Sequence, residues 1–252
     1  MRILIIRHGD PDYSIDSLTE KGWREAELLS ERLVKEGITD IFVSPLGRAR
    51  DTARPTLEKL GLSATVLDWL REFPAGVNPD SFYREAGLSD DLPRHGCPWD
   101  VYPQYWRRQE SLFSEKGWRE HPLYAPTVPV YDAVAAKLDS LIDSFGYHKN
   151  GTLYDIDPAA DEDRCLAFFC HMGLGLTLIS ILSRIPVTVT WETFFLPTTS
   201  VTSVCMEKFA PVKGQAQARF VQIGDTSHLY AGGEPVSNSG FHCRIAAGLF
   251  EK

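Results

Sequence analysis

Two stretches of this chain are apolar without interruption, and each stops at a histidine. Ile3-Leu4-Ile5-Ile6 runs into Arg7-His8-Gly9, and Cys165-Leu166-Ala167-Phe168-Phe169-Cys170 runs into His171-Met172-Gly173. A strand with one wet face alternates apolar and polar residues; an unbroken run belongs to a strand covered on both faces, as in the parallel sheet of an α/β protein. The segments between fit that class. Residues 19–36 read as a helix that Thr19 can cap, with Trp23, Ala26, Leu29 and Leu33 near one face and Gly37 at its end. Ile41-Phe42-Val43 reads as a second strand. Ser44-Pro45 then supplies an N-cap and a first-turn proline for another helix, which Pro55 should kink or locally break. Residues 64–68 read as a third strand, 129–146 and 174–182 as helices, and 201–207 and 218–223 as further strands. Strand and helix alternate as in a sheet with right-handed crossovers.

Between residues 74 and 128 this rhythm stops. Prolines recur, but Phe82, Tyr83, Trp99, Tyr102, Tyr105, Trp106, Phe113, Trp118 and Tyr124 make the stretch too aromatic for a disordered linker. It reads as a folded insertion, either a cap over the strand ends or a satellite core. The organisation expected is one domain over 1–252 with this insertion. Residues 155–163 are acidic and read as a solvated loop, without the glycine and closing glutamate of a calcium loop.

A net charge of −8 argues against general nucleic-acid binding, which rests on basic surface. No apolar run approaches the roughly 20 residues of a membrane helix. The first apolar run feeds straight into charged residues, so no signal peptide is expected. Five cysteines without a CxxC spacing suggest reduced thiols and a cytoplasmic location. Nothing in the sequence fixes an oligomeric state.

In open α/β sheets, ligand sites form at the carboxyl ends of strands. His8 and His171 each stand at such an end, followed by a small-residue turn. Ser44-Pro45-Leu46-Gly47-Arg48 follows the second strand, and Leu70-Arg71-Glu72 follows the third. Arg48 lies in the first turns of its helix, where anions are favoured. Two histidines, two arginines and a carboxylate thus converge from four segments. Arginine offers a planar fork of donors for phosphate oxygens, and Gly9 lets a ligand approach the backbone.

The segments Arg7-His8-Gly9, Leu18-Thr19-Glu20-Lys21-Gly22, Ser44-Pro45-Leu46-Gly47-Arg48-Ala49-Arg50-Asp51-Thr52-Ala53, Leu70-Arg71-Glu72 and Cys170-His171-Met172-Gly173 together resemble the histidine phosphatase superfamily, which includes cofactor-dependent phosphoglycerate mutases. The resemblance covers residues 1–73 and 164–230; within the latter, Asp225-Thr226-Ser227-His228-Leu229 resembles a segment common near the family's C-terminus. It does not extend to the insertion. It implies a three-layer α/β/α sandwich with a mostly parallel central sheet, and a phosphohistidine intermediate. His8 would carry the phosphoryl group. Arg7, Arg48 and His171 would hold its oxygens. Glu72 would protonate the leaving oxygen and later activate water, with Glu85 as an alternative carboxylate. Nearby arginines should keep His8 neutral, and an incoming phosphate should help Glu72 hold its proton. His228 reads as a buried polar residue behind the site. Arg84, Arg94, Arg107, Arg108 and His95 in the insertion could meet substrate charge.

The expectation is a metal-independent phosphomonoester phosphatase without a cofactor, acting on a small phosphorylated metabolite, with neither nucleic acid nor membrane as partner. Asp10-Pro11-Asp12-Tyr13 departs from the Glu-Ser-x-Trp-Asn that usually follows the motif in mutases, which weakens the alternative of a phosphoglycerate-type mutase. A phospholigand-binding protein without turnover is the third reading.

Overall fold

The computed structural model describes residues 1–88, 96–161, 163–208 and 214–241; Arg94, His95, Glu162 and Cys243 lie outside the described residues. Along the chain run β1 (Arg2–Arg7), β2 (Pro11–Asp12), β3 (Ser17–Leu18), α1 (Glu20–Leu33), β4 (Asp40–Val43), α2 (Gly47–Leu60) and β5 (Ala64–Val66). Then come α3 (Asp80–Glu85), α4 (Pro103–Trp106), α5 (Glu115–Glu120) and α6 (Val128–Asp143). The last part holds β6 (Tyr147–Asn150), β7 (Leu153–Ile156), β8 (Cys165–Cys170), α7 (Met172–Ser183), α8 (Val187–Thr193), β9 (Val201–Lys208), β10 (Gln215–Asp225) and α9 (Ser227–Gly232).

Eight strands form one sheet in the order β5-β4-β8-β1-β9-β10-β7-β6. The four from β5 to β1 are parallel. From β1 outwards to β6 every pairing is antiparallel. The fold is therefore α/β with a mixed sheet around a parallel core. Leu4 and Ile6 of β1 share one packed cluster with Phe169, Val43, Leu29 and Leu33 of α1, and Ala49 and Ala53 of α2. The alternate residues face the other way: Phe42 stacks on Phe168 at 5.3 Å and meets Phe145 at 6.4 Å. Gly175 of α7 lies so close that a Cβ there would be 3.4 Å from Ile5. Each such fully buried apolar side chain contributes roughly 1.5–3 kcal/mol.

The described chain falls into two compact units. One holds Met1–Glu72, Asp139–Gly175 and the segment from Phe195 on, including the whole sheet; the other holds Phe73–Leu138 and Leu176–Phe194. The second unit has its own aromatic core. Trp118 meets Tyr131 edge-on at 5.1 Å, Phe73 meets Trp191 at 5.0 Å, and Tyr124 stacks on Trp191 at 6.3 Å. Within it the buried Glu192 accepts from Tyr124 Oη and from the Val101 N–H, both at 3.2 Å.

Several local expectations are corrected. α2 starts at Gly47 rather than directly after Ser44, and it runs unbroken through the buried Pro55. The acidic stretch does not begin as a loop: Asp155 is part of β7, where it accepts from Asn150 and Gln215. β6 and β7 form a hairpin whose sequence lacks apolar alternation. His171 leads directly into α7. Among the described residues no helix is long and apolar enough to cross a membrane.

Candidate active site

Register brings the strand ends together. Arg7 pairs with Cys170, and Val43 pairs with both Phe169 and Val66, so the carboxyl ends of β1, β8, β4 and β5 are level. The ladder continues past them: the His8 N–H donates to Cys170 O at 3.0 Å and the Ser44 N–H to Phe169 O at 2.9 Å. His8 and His171 thus emerge from adjacent strands, with ring centroids 5.1 Å apart.

The turn that carries His8 rests on the start of α1. Thr19 caps that helix by accepting from the Gly22 N–H at 3.0 Å, and its hydroxyl donates to Asp10 Oδ2 at 2.7 Å. The backbones touch: a Cβ on Gly22 would lie 2.2 Å from Asp10 O, and one on Gly9 would lie 2.9 Å from Gly22 O. Gly9 is therefore required by this packing, where the sequence suggested room for a ligand. Leu18, Thr19 and Gly22 form the floor beneath the His8–Asp10 turn.

Each functional side chain is oriented by a neighbour. His8 Nδ1 lies 2.7 Å from Gly9 O. A carbonyl only accepts, so Nδ1 carries the hydrogen and the lone pair sits on Nε2. Burial, then the charge of Arg7, holds the imidazole well below its usual pKa. The ring is neutral at physiological pH, as expected, though desolvation contributes more than the arginines. His171 Nε2 lies 2.8 Å from Ser44 Oγ, which also accepts from the Leu46 N–H. With the hydroxyl hydrogen directed to Nε2, the His171 ring proton is on Nδ1. Burial, followed by Arg48 and Arg7, keeps His171 neutral as well.

Arg7 is 3% exposed. It donates through NH1 to Leu196 O at 2.6 Å and through NH2 to Ser239 O at 3.0 Å. Arg48 donates through NH1 to Asp16 Oδ1 at 2.7 Å, and its guanidinium lies 5.4 Å from the Tyr13 ring. Both guanidinium groups are thus held by terminal nitrogens. Arg7 Nε, Arg48 Nε and His171 Nδ1 are buried with no hydrogen-bond partner. Unpaired buried donors cost about 1–3 kcal/mol each, so the arrangement suits an acceptor-rich guest. Glu72 reaches the first turn of α7, accepting from the Leu174 N–H at 2.9 Å and the Gly173 N–H at 3.4 Å. Free amides at a helix start favour such an acceptor.

Arg7, His8, Arg48, Glu72 and His171 therefore share one unit. Arg84, Arg107 and Arg108 are exposed residues of the other unit, where Arg107 lies 4.8 Å over the Trp106 ring; Glu85 is in that unit too, and Arg94 is outside the described residues. His228 is buried, with Nε2 3.2 Å from Thr199 Oγ1. Asp16 and Glu25 were not singled out from the sequence, and Ser44 only as a helix cap. Glu25 carried a signal: its spacing from Gly22 and Leu29 puts a carboxyl group on the core face of α1.

Burial raises the Glu25 carboxyl from 4.5 to about 7. The folded chain thus holds this proton more tightly than the unfolded one. The associated stability is complete below about pH 4.5 and is lost as pH rises towards 7. Glu25→Gln should therefore gain stability over wild type on going from pH 5 to pH 8, by up to about 3 kcal/mol. Denaturant melts at both pH values check this; an unchanged difference contradicts it.

The sequence model of the histidine phosphatase superfamily (branch 1) matches residues 3–214. The chain belongs to the histidine phosphatase superfamily. A probable phosphoglycerate mutase of Yersinia pestis (strain Pestoides F) is 34% identical over 86 residues, 31% of this chain and 40% of that protein. A probable phosphoglycerate mutase of Serratia proteamaculans (strain 568) is 33% identical over 86 residues, with the same coverage. The chain thus spans 40% of the length of these curated relatives. Among solved structures, the native mycobacterial glucosyl-3-phosphoglycerate phosphatase has a TM-score of 0.56 at 22% identity, covering 87% of this chain and 96% of that one. Phosphoserine phosphatase of Entamoeba histolytica has a TM-score of 0.56 at 16% identity, covering 90% of this chain and 98% of that one. These likenesses show that the histidine phosphatase fold extends over most of the chain.

Proposed function

We propose that this histidine phosphatase superfamily member is a phosphomonoesterase that works through a phosphohistidine on His8 and takes a small phosphorylated metabolite. The observation that carries this reading is the trio of buried nitrogens without a hydrogen-bond partner, Arg7 Nε, Arg48 Nε and His171 Nδ1, beside a histidine whose free lone pair is on Nε2. A phosphoryl group brings three acceptor oxygens and an electrophilic phosphorus. In the first step Nε2 bonds to phosphorus while the bond to the ester oxygen breaks. Glu72, protonated in the substrate complex, gives its proton to that oxygen and the alcohol leaves. In the second step water attacks phosphorus, Glu72 takes its proton, and the phosphorus–nitrogen bond breaks to release phosphate. The Gly9 carbonyl steadies the Nδ1 hydrogen throughout. Arg7 and Arg48 supply the positive charge that phosphoryl transfer needs and neutral His171 adds a hydrogen bond, so the step requires no metal.

The test is phosphate release from p-nitrophenyl phosphate and from glycerol phosphate. General acid help is worth about 10²–10⁴-fold for a poor leaving group and little for nitrophenolate. Glu72→Gln should therefore slow glycerol phosphate hydrolysis far more than nitrophenyl phosphate hydrolysis. Equal losses on both would move the acid role elsewhere. The mutase names of the sequence relatives favour a second reading, transfer between hydroxyls of one substrate. Incubation with 3-phosphoglycerate and catalytic bisphosphoglycerate separates the two: the phosphatase reading expects free phosphate, and isomer exchange without phosphate would replace it.

A further inference from the structure

The backbone of the nucleophile turn is anchored at three successive amides, each to a different element. The His8 N–H donates to Cys170 O of β8, the Gly9 N–H to Thr52 Oγ1 of α2 at 2.9 Å, and the Asp10 N–H to Glu25 Oε2 of α1 at 2.9 Å. Glu25 is 0% exposed. Its other oxygen, Oε1, accepts from Thr198 Oγ1 at 3.0 Å. Next to Thr198, the Thr199 N–H donates to His8 O at 3.2 Å, and Thr199 holds φ at +54°. A β-branched residue in the left-handed region costs of order 1–3 kcal/mol and persists where surrounding contacts enforce it. Thr199 Oγ1 donates to Thr198 O at 2.7 Å, so at the same hydroxyl His228 Nε2 is the donor. Glu25 thus bonds both turns that flank His8.

We propose that Glu25 is a positioning residue for the nucleophile, clamping the His8–Asp10 turn to the Thr198–Thr199 turn and so fixing the line along which His8 meets phosphorus. The inference rests on the phosphohistidine reading. A side chain that only filled this space would be apolar, since burying a carboxyl group is costly unless its bonds matter. The ionised clamp is the stronger one, because charge-assisted bonds are shorter and tighter. The charged groups around it act in both directions: the Asp10 carboxylate opposes ionisation, and Lys21 favours it, with Arg7 and Arg24 also within electrostatic reach. Loss of the proton near neutrality therefore tightens the turn. In Glu25→Gln, Oε1 can still take the Asp10 N–H while Nε2 donates to the Thr198 hydroxyl, which copies the neutral form and removes the titration.

The experiment uses the full chain, with kcat and KM for p-nitrophenyl phosphate from about pH 5.5 to about pH 8.5, and the ¹⁵N shifts of the His8 ring over the same range. In wild type the ring signals should move with a midpoint about 7, without the large change that protonation of the imidazole gives. Glu25→Gln should lose that midpoint and hold kcat near the low-pH level of wild type. Glu25→Ala should lose about 10²-fold in kcat with little change in KM, the size expected for a misplaced reacting group. Thr198→Val removes the same bond from the other side and should lower kcat about 10-fold, so the inference stands or falls even if Glu25→Ala does not fold. Wild-type kcat and ring shifts in Thr198→Val or Glu25→Ala, or a midpoint that survives Glu25→Gln, overturn it. A wild type that hydrolyses nothing defeats the phosphatase reading, while the ring titration still judges the clamp.

Discussion

His8→Ala should lower kcat for any phosphomonoester by about 10⁴–10⁶-fold, the scale seen when a covalent nucleophile is removed. The loss belongs to chemistry and leaves binding largely intact. Arg7 keeps its bonds to Leu196 and Ser239, Arg48 keeps Asp16, and His171 keeps Ser44, so the donors that receive phosphate stay in place. Inorganic phosphate should bind the variant within about tenfold of wild type, since the lone pair lost is worth little before the bond to phosphorus forms. Turnover with release assays and phosphate titration by calorimetry check the two halves. A variant that keeps wild-type turnover would remove His8 from the mechanism. A variant that loses phosphate binding together with turnover would mean that His8 holds the phosphoryl group rather than accepting it.

Gly22→Ala should destabilise the fold strongly. The added Cβ would stand 2.2 Å from Asp10 O and 3.0 Å from Asp10 N. Both are backbone atoms, so no side chain can swing away. α1 would have to lift from the His8–Asp10 turn. That would break the Thr19 hydroxyl bond to Asp10 and the Glu25 bond to the Asp10 N–H. Overpacking alone costs about 1–3 kcal/mol, and the lost bonds add about 1 kcal/mol each. Equilibrium unfolding should therefore show a loss of about 3 kcal/mol or more, with kcat reduced in whatever fraction stays folded. Gly37→Ala is the comparison: its Cβ would meet nothing within 4 Å, and its cost comes from φ at +64° alone. Equal stability of Gly22→Ala and wild type would contradict the close approach of α1 to the turn.

The parallel core was legible because strands buried on both faces leave unbroken apolar runs, and β1 and β8 are nearly or wholly buried at every position. The histidines were legible because they terminate those runs. The β6–β7 hairpin was not, since two four-residue strands, each with one buried tyrosine, are too short to show a period. Ser44 shows why local signals mislead: Ser-Pro is a good helix start, yet tertiary contact gives its hydroxyl to His171 and leaves the helix to begin at Gly47. Gly9 and Gly22 were visible as glycines, but their reason lies in a contact between segments 13 residues apart that only folding creates. The Asp16 bond to Arg48 and the Glu72 bonds to α7 depend in the same way on side-chain placement, which no spacing in the sequence records.

Turnover through a phosphohistidine requires phosphorus to become bonded to His8 Nε2. The direct test is rapid mixing of the wild-type chain with a ³²P-labelled phosphomonoester, quenching in alkali within milliseconds, and mapping of the label by mass spectrometry. An alkali-stable, acid-labile phosphoryl group is expected on the peptide that carries Arg7-His8-Gly9, formed and lost at rates that match turnover and absent from His8→Ala. Phosphate release at full rate with no label on that peptide, or label on another residue, would contradict it.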